Sequence, residues 1–101
     1  MTRTTQLRRY ELKPHLVEAF LEWWPTTLVP AREAAGFRIE FAYFDPEVRE
    51  FTWAVSTEGD AEDFARIEAA YNASEGRAAA FAGLSEGWTD ASRIAIVEQV
   101  A

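Results

Sequence analysis

Phe37, Ile39, Phe41 and Tyr43 alternate with Arg38, Glu40, Ala42 and Phe44, and past Asp45-Pro46-Glu47 the alternation resumes as Phe51, Trp53 and Val55 against Glu50, Thr52, Ala54 and Ser56. A period of two in adjacent aromatic and β-branched segments, split by a proline turn, predicts an antiparallel hairpin with one strongly apolar face. An isolated hairpin is marginal in water, so the flanking segments must supply more strands and a lid. Before the hairpin, the stretch from Thr4 to Leu12 alternates loosely, with Arg8, Tyr10 and Leu12 on one side and Leu7 on the other, and stops at Lys13-Pro14. It predicts a first strand.

Pro14 suits a first helical turn, where its missing N–H would be unpaired anyway, and Leu16, Val17, Phe20, Leu21 and Trp24 follow at helical spacing. Pro25 predicts a kink or break, with Thr26 or Thr27 capping a restart that carries Leu28, Val29 and Ala34 up to a stop at Gly36. After the hairpin, Asp60 is the expected N-cap of a helix presenting Phe64, Ile67 and Tyr71 on one face. Capping and the helix dipole account for the acidic cluster Glu58, Asp60, Glu62 and Asp63 better than a metal site does. Ser74-Glu75 begins a shorter helix with Ala78, Phe81 and Leu84, and Gly83 and Gly87 bracket a loop. Ile94, Ile96 and Val100 against Arg93, Ala95 and Val97 then predict the last strand.

The order β, broken α, β, β, α, β favours a ferredoxin-like α+β fold: a four-stranded antiparallel sheet with both helices on one face. Alternation leaves Arg38, Glu40, Ala42, Phe44, Thr52, Ala54 and Ser56 on the other face. That surface is too apolar in places to be plainly solvated, so the expected solution is a homodimer stacking sheet on sheet about a twofold axis.

The size and charge narrow the function. At 101 residues the chain is a single domain, spanning 1–101, and four tryptophans hint at a shaped apolar cavity beyond what a small core needs. Ten basic against seventeen acidic residues give a net charge of −7, a field that repels phosphate backbones and anionic lipid. Neither nucleic acid nor a membrane surface is an expected partner. The chain has no cysteine, its first residues lack an apolar signal core, and no window approaches the ~18 apolar residues of a membrane span. A cytoplasmic setting is the expectation.

His15 is the single histidine, so multi-histidine metal sites are disfavoured and any His-based acid–base chemistry rests on it alone. Its place at the start of the first helix puts it near the mouth of a helix–sheet cavity, the alternative being an exposed first-turn side chain. Tyr10, Tyr43, Trp53, Tyr71 and Trp24 are candidates to wall such a cavity around a flat aromatic ligand, with Phe20 and Phe64 contributing from the helices. Arg8 shares the side of Tyr10; facing a covered layer it needs a carboxylate, and Glu98 on the last strand is a partner by count. If no carboxylate pairs with it, a carboxylate or enolate ligand becomes the natural guess. No glycine-rich phosphate loop, nucleophile elbow or Cys/His ligand spacing occurs, which disfavours nucleotide-dependent transfer, serine hydrolysis and zinc chemistry.

The run Leu7-Arg8-Arg9-Tyr10-Glu11-Leu12-Lys13-Pro14, then Phe20-Leu21-Glu22-Trp23-Trp24, Leu28-Val29-Pro30-Ala31-Arg32-Glu33, Gly36-Phe37, Glu50-Phe51-Thr52-Trp53 and Tyr71-Asn72-Ala73-Ser74-Glu75 with Arg77, resembles NIPSNAP-type domains of the dimeric α+β barrel superfamily. His15 stands where that family often has glycine. The resemblance implies a homodimer of ferredoxin-like units. It also implies kinship with cofactor-independent monooxygenases, haem-degrading enzymes and muconolactone isomerase-like proteins, without implying a mechanism.

The leading expectation is a small apolar or aromatic metabolite held between helices and sheet. Any reaction there would be cofactor-free oxygenation, isomerisation or cyclisation, with Tyr10, His15 or Tyr71 moving protons and Arg8 steadying an oxyanion. The alternatives are a non-catalytic interaction module and, from superfamily kinship with His15, a haem-binding protein. A filled interior favours the module, whereas an open pocket of ~300 Å³ or more with converging polar groups favours a ligand site.

Overall fold

The computed structural model describes residues 2–84 and 87–100. Four strands, β1 (Arg3–Leu12), β2 (Arg38–Asp45), β3 (Glu50–Glu58) and β4 (Thr89–Val97), form one antiparallel sheet in the order β2-β3-β1-β4. The helices are α1 (Val17–Trp23), α2 (Val29–Ala34), α3 (Ala61–Asn72) and α4 (Glu75–Phe81). This is the expected ferredoxin-like α+β arrangement. The hairpin β2–β3 fills one half of the sheet, and β1 rather than β2 shares its centre.

The first helical segment does not break at Pro25. A 3-10 turn over Pro14–Leu16 leads into α1, a π-helical turn spans Trp24–Leu28, and α2 follows with helical dihedrals throughout. The turn around Pro25 is wide: Val29 N–H reaches back five residues to Trp24 O, and the Thr26 hydroxyl donates to Glu22 O at 2.7 Å. Thr26 therefore bonds backward within the helix instead of capping a new one. Gly36 ends the segment at a φ of 100°, a left-handed conformation that side chains other than hydrogen resist.

The other caps follow expectation. Asp60 accepts from Asp63 N–H while Asp63 accepts from Asp60 N–H, a capping box at the start of α3, and the Ser74 hydroxyl accepts from Arg77 N–H at the start of α4. The bond from the Asp60 backbone, then that from Arg66, holds the Asp63 carboxyl below the usual range.

One face of the sheet carries the core. Leu12 and Tyr10 from β1 and Phe51, Trp53 and Val55 from β3 pack against Phe20, Trp23, Trp24, Leu28, Phe64 and Tyr71 from the helical layer. On β2 the alternation is interrupted: pairing runs Ile39 to Val55, then Phe41 to Ala54, leaving Glu40 without a partner across β3. That bulge shifts the strand by one residue. Ala42 and Phe44 turn inward, opposite Trp53 and Phe51, whereas Phe41 and Tyr43 turn outward, 40% and 71% exposed with rings 5.8 Å apart.

Candidate functional site

A cavity of about 590 Å³ opens between the helical layer and the β1–β4 side of the sheet. It exists because the helices cover the sheet unevenly. Ile94 lies opposite Arg8 and Ile96 opposite Gln6, on the helix-facing side, yet both are about half exposed. Aromatic rings form the walls: Trp88 stacks on Phe20 at 5.0 Å, Tyr10 meets the Trp88 edge at 4.8 Å, and Trp53 and Trp23 close the floor and side.

Charge is concentrated there. Arg8, Arg32 and Arg77 all line the cavity, against Glu68 as the only carboxylate among the described lining residues. Arg8 Nε donates to the Tyr10 hydroxyl, its Nη1 donates to Gln6 Oε1 at 2.7 Å, and the same atom lies 3.5 Å from Glu68 Oε2. Glu98 is not the partner expected by count. It sits exposed beyond the end of β4, and the carboxylate that approaches Arg8 comes from α3, sixty residues away.

Arg32 is the more unusual group. It is 4% exposed, flanked by the rings of Tyr71 at 4.5 Å, Phe37 at 4.7 Å and Trp53 at 5.4 Å, and its nearest carboxylate oxygen among the described residues, Glu68 Oε2, is 3.9 Å away. Among the described residues its Nε and Nη1 have no hydrogen-bond partner; neither have the buried Trp53 Nε1 and the Tyr71 hydroxyl around it. Burial, then the neighbouring Arg8 charge, pushes the Arg32 guanidinium below its ordinary pKa, while Tyr71, Tyr10 and Glu68 pull the other way. Burial likewise raises the Tyr71 phenol, partly offset by Arg32.

Of the residues expected from sequence, Arg8, Tyr10, Phe20 and Trp53 meet in the cavity. Tyr71 contacts Arg32 from behind and lines a separate shallow depression over α3. Trp24 and Phe64 belong to the packed core, Trp24 against Phe51 and Trp53, Phe64 against Phe37. Tyr43 is turned away by the bulge at Glu40, so it cannot wall the cavity. His15 is exposed on the 3-10 turn and is not among the lining residues. A haem held by histidine does not fit this donor set, because the sole histidine lies outside and the Tyr10 hydroxyl is engaged by Arg8.

Sequence reasoning passed over Arg32, Glu68, Arg77 and Trp88. A signal existed: Arg32 follows Leu28, Glu68 follows Phe64 and Phe81 follows Arg77 at a spacing of four, so the three charges occupy positions on inward helical stripes.

An α+β sandwich of this strand order, with an aromatic cavity on its helix-covered side, defines the class as ferredoxin-like. Its fold is that of NIPSNAP-family proteins. A NIPSNAP family protein from Agrobacterium tumefaciens superposes with a TM-score of 0.83 at 9% identity, covering 98% of this chain and 94% of that one. A NIPSNAP-like domain protein from Burkholderia xenovorans gives 0.80 at 17% identity, covering 98% and 86%. A Nitrosomonas europaea protein provisionally named an antibiotic biosynthesis monooxygenase gives 0.70 at 11% identity, covering 97% and 90%. No protein-family model and no curated protein matches the sequence.

Proposed function

We propose that this protein binds a small, flat, largely aromatic metabolite in the cavity between its helices and sheet. The observation that carries this reading is the open space of about 590 Å³, well above the ~300 Å³ floor of ordinary ligand pockets, with Arg8 and Tyr10 converging on aromatic walls. Trp88, Phe20 and Trp53 offer faces and edges to a planar ring system, and the Tyr10 hydroxyl, poised by Arg8, orients a polar substituent.

Any chemistry in the cavity is cofactor-free tailoring, such as oxygenation, isomerisation or cyclisation. In it Tyr10 relays a proton and Arg8 stabilises a developing oxyanion. The Nitrosomonas protein of the same fold, with its provisional monooxygenase name, is in keeping with this class. The protein acts as a homodimer, its bare sheet face covered by a second copy; the outward Phe41 and Tyr43 rings support that arrangement.

Untargeted mass spectrometry of small molecules co-purifying with the protein tests the binding role. An aromatic metabolite recovered from the wild type and lost from Trp88→Ala supports it; purified protein that carries none and binds no planar aromatic probe in calorimetry overturns it. Sedimentation at micromolar concentration tests the homodimer, which a single-subunit mass would exclude.

A further inference from the structure

Buried polar atoms with no partner are rare in folded proteins, and of the six such side-chain atoms among the described residues three belong to Arg32 and Trp53, which line one cavity. Arg32 Nε and Nη1 and Trp53 Nε1 are donor-only atoms in residues that line the cavity, all without a hydrogen-bond partner among the described residues, and Arg8 Nη1 lies close enough for both guanidiniums to approach the same carboxylate oxygen of Glu68. That carboxylate is a loose fit. At 3.5 Å and 3.9 Å it stands at the limit of an ion pair, short of the ~2.7–2.9 Å of a charge-assisted hydrogen bond. It also remains a quarter exposed on α3, with a path to solvent. Arg8 also donates to Tyr10 and Gln6, but two guanidiniums that share one Glu68 oxygen form a local reversal of sign on a chain whose net charge is −7.

We infer that Arg8 and Arg32 form a clamp for the carboxylate or enolate oxygen of an aromatic ligand, and that Glu68 is a displaceable occupant of the same place. This deepens the cavity-binding reading and rests on it. The ligand anion takes the place of Glu68 Oε2 beside both guanidiniums and closes on the Arg32 donors, which are sealed from solvent in the empty cavity, while its rings lie against Trp88 over the buried Phe20 and Trp53. Glu68 swings outward when the ligand enters, so it acts as a competitor that keeps the guanidiniums partly neutralised in the empty cavity. Three rings within 4.5–5.4 Å of the Arg32 guanidinium carbon restrict its side chain, so that binding orders few rotors. The preferred ligand is therefore an aromatic acid or enolate rather than its neutral amide or ketone counterpart.

Calorimetry with 2-naphthoate and the neutral isostere 2-naphthamide tests the clamp on the full chain. The wild type should bind naphthoate at least about tenfold more tightly, roughly the worth of one charge-assisted hydrogen bond. Glu68→Gln should tighten naphthoate several-fold and leave naphthamide unchanged, and Arg32→Met, which keeps the length and apolar contacts of the stem, should abolish the preference. Equal affinities for the two probes in the wild type, or a Glu68→Gln change that weakens naphthoate, would overturn the clamp while leaving the cavity as an aromatic site. Binding of neither probe would remove the cavity reading and the clamp together. Should Arg32→Met fail to fold, as read by circular dichroism, Arg32→Lys replaces it: the single point charge must lose most of the naphthoate preference, and full retention rejects the paired-fork geometry.

Discussion

The β2–β3 half of the layer under the helices is closed, and the β1–β4 half is open. In the closed half Phe37 packs edge-on against Phe64 and Tyr71, and Trp24 against Phe51, all of them buried. In the open half equally aromatic residues, Tyr10, Phe20 and Trp88, meet one another but face a cavity together with three arginines. Composition alone does not separate the halves. Coverage does: the β4 edge lies beyond the reach of the helices, so its inward side chains cannot complete a core, and the space left over is what a ligand can use. Stability should therefore reside mainly in the first half and recognition in the second.

Truncating one ring from each half is the hardest test. Phe64→Ala removes a side chain only 2% exposed from the closed half and should cost ~3–5 kcal/mol in urea unfolding. Trp88→Ala, in the open half and half-buried, should cost about half as much. Equal losses would erase the distinction between a core and a site. Tyr10→Phe should leave stability within about 1 kcal/mol, because the ring stays, but free Arg8 Nε and weaken binding of planar acids in the calorimetric assay. A drop in stability as large as that of Phe64→Ala would show that the Tyr10 hydroxyl holds the fold and does not serve the cavity.

Backbone devices that hold the closed half should rank next. Asp60→Ala breaks the capping box that starts α3, the helix carrying both Phe64 and Glu68, and should lower stability by about 1 kcal/mol. Gly36→Ala forces a side chain into a φ of 100° and should cost ~1–2 kcal/mol. An unchanged thermal midpoint in either variant would show that the helical layer is held by packing alone.

The smallest effect belongs to the bare face. There the Ser56 hydroxyl, then Arg38, holds the Glu40 carboxyl below its usual pKa, with Ser56 donating at 2.8 Å. A depressed carboxylate contributes stability above its unfolded pKa near 4.5 that is lost as the pH falls through the lower folded value. The wild type should thus weaken below about pH 4.5, and Glu40→Gln should flatten that slope slightly; a variant with an identical acid profile would deny the bond any role.

Local patterns on the sequence were enough for much of this. Alternation placed Arg8, Tyr10 and Leu12 on one face of β1 and Phe51, Trp53 and Val55 on the matching face of β3, because a strand's period of two leaves no third option once one face is buried. Asp60, Ser74 and Gly36 announced helix ends, since capping depends on residues within one turn. At Pro25 the α-helical pattern is interrupted as expected, but by a π-turn that carries the helix on, so no cap at Thr26 or Thr27 restarts it.

The tertiary structure decided the rest. The bulge at Glu40 sent Tyr43 outward, a one-residue slip set by pairing with β3 that the composition of β2 does not encode. Glu68, and not Glu98, approached Arg8, because ion pairing depends on where α3 docks and not on sequence separation. Arg32 looked like any helical arginine until Phe37, Trp53 and Tyr71 closed around it. Periodicity along a chain fixes which way a side chain points; how far a neighbouring element extends over it, and so whether it meets a core, a cavity or water, is settled only when the elements pack.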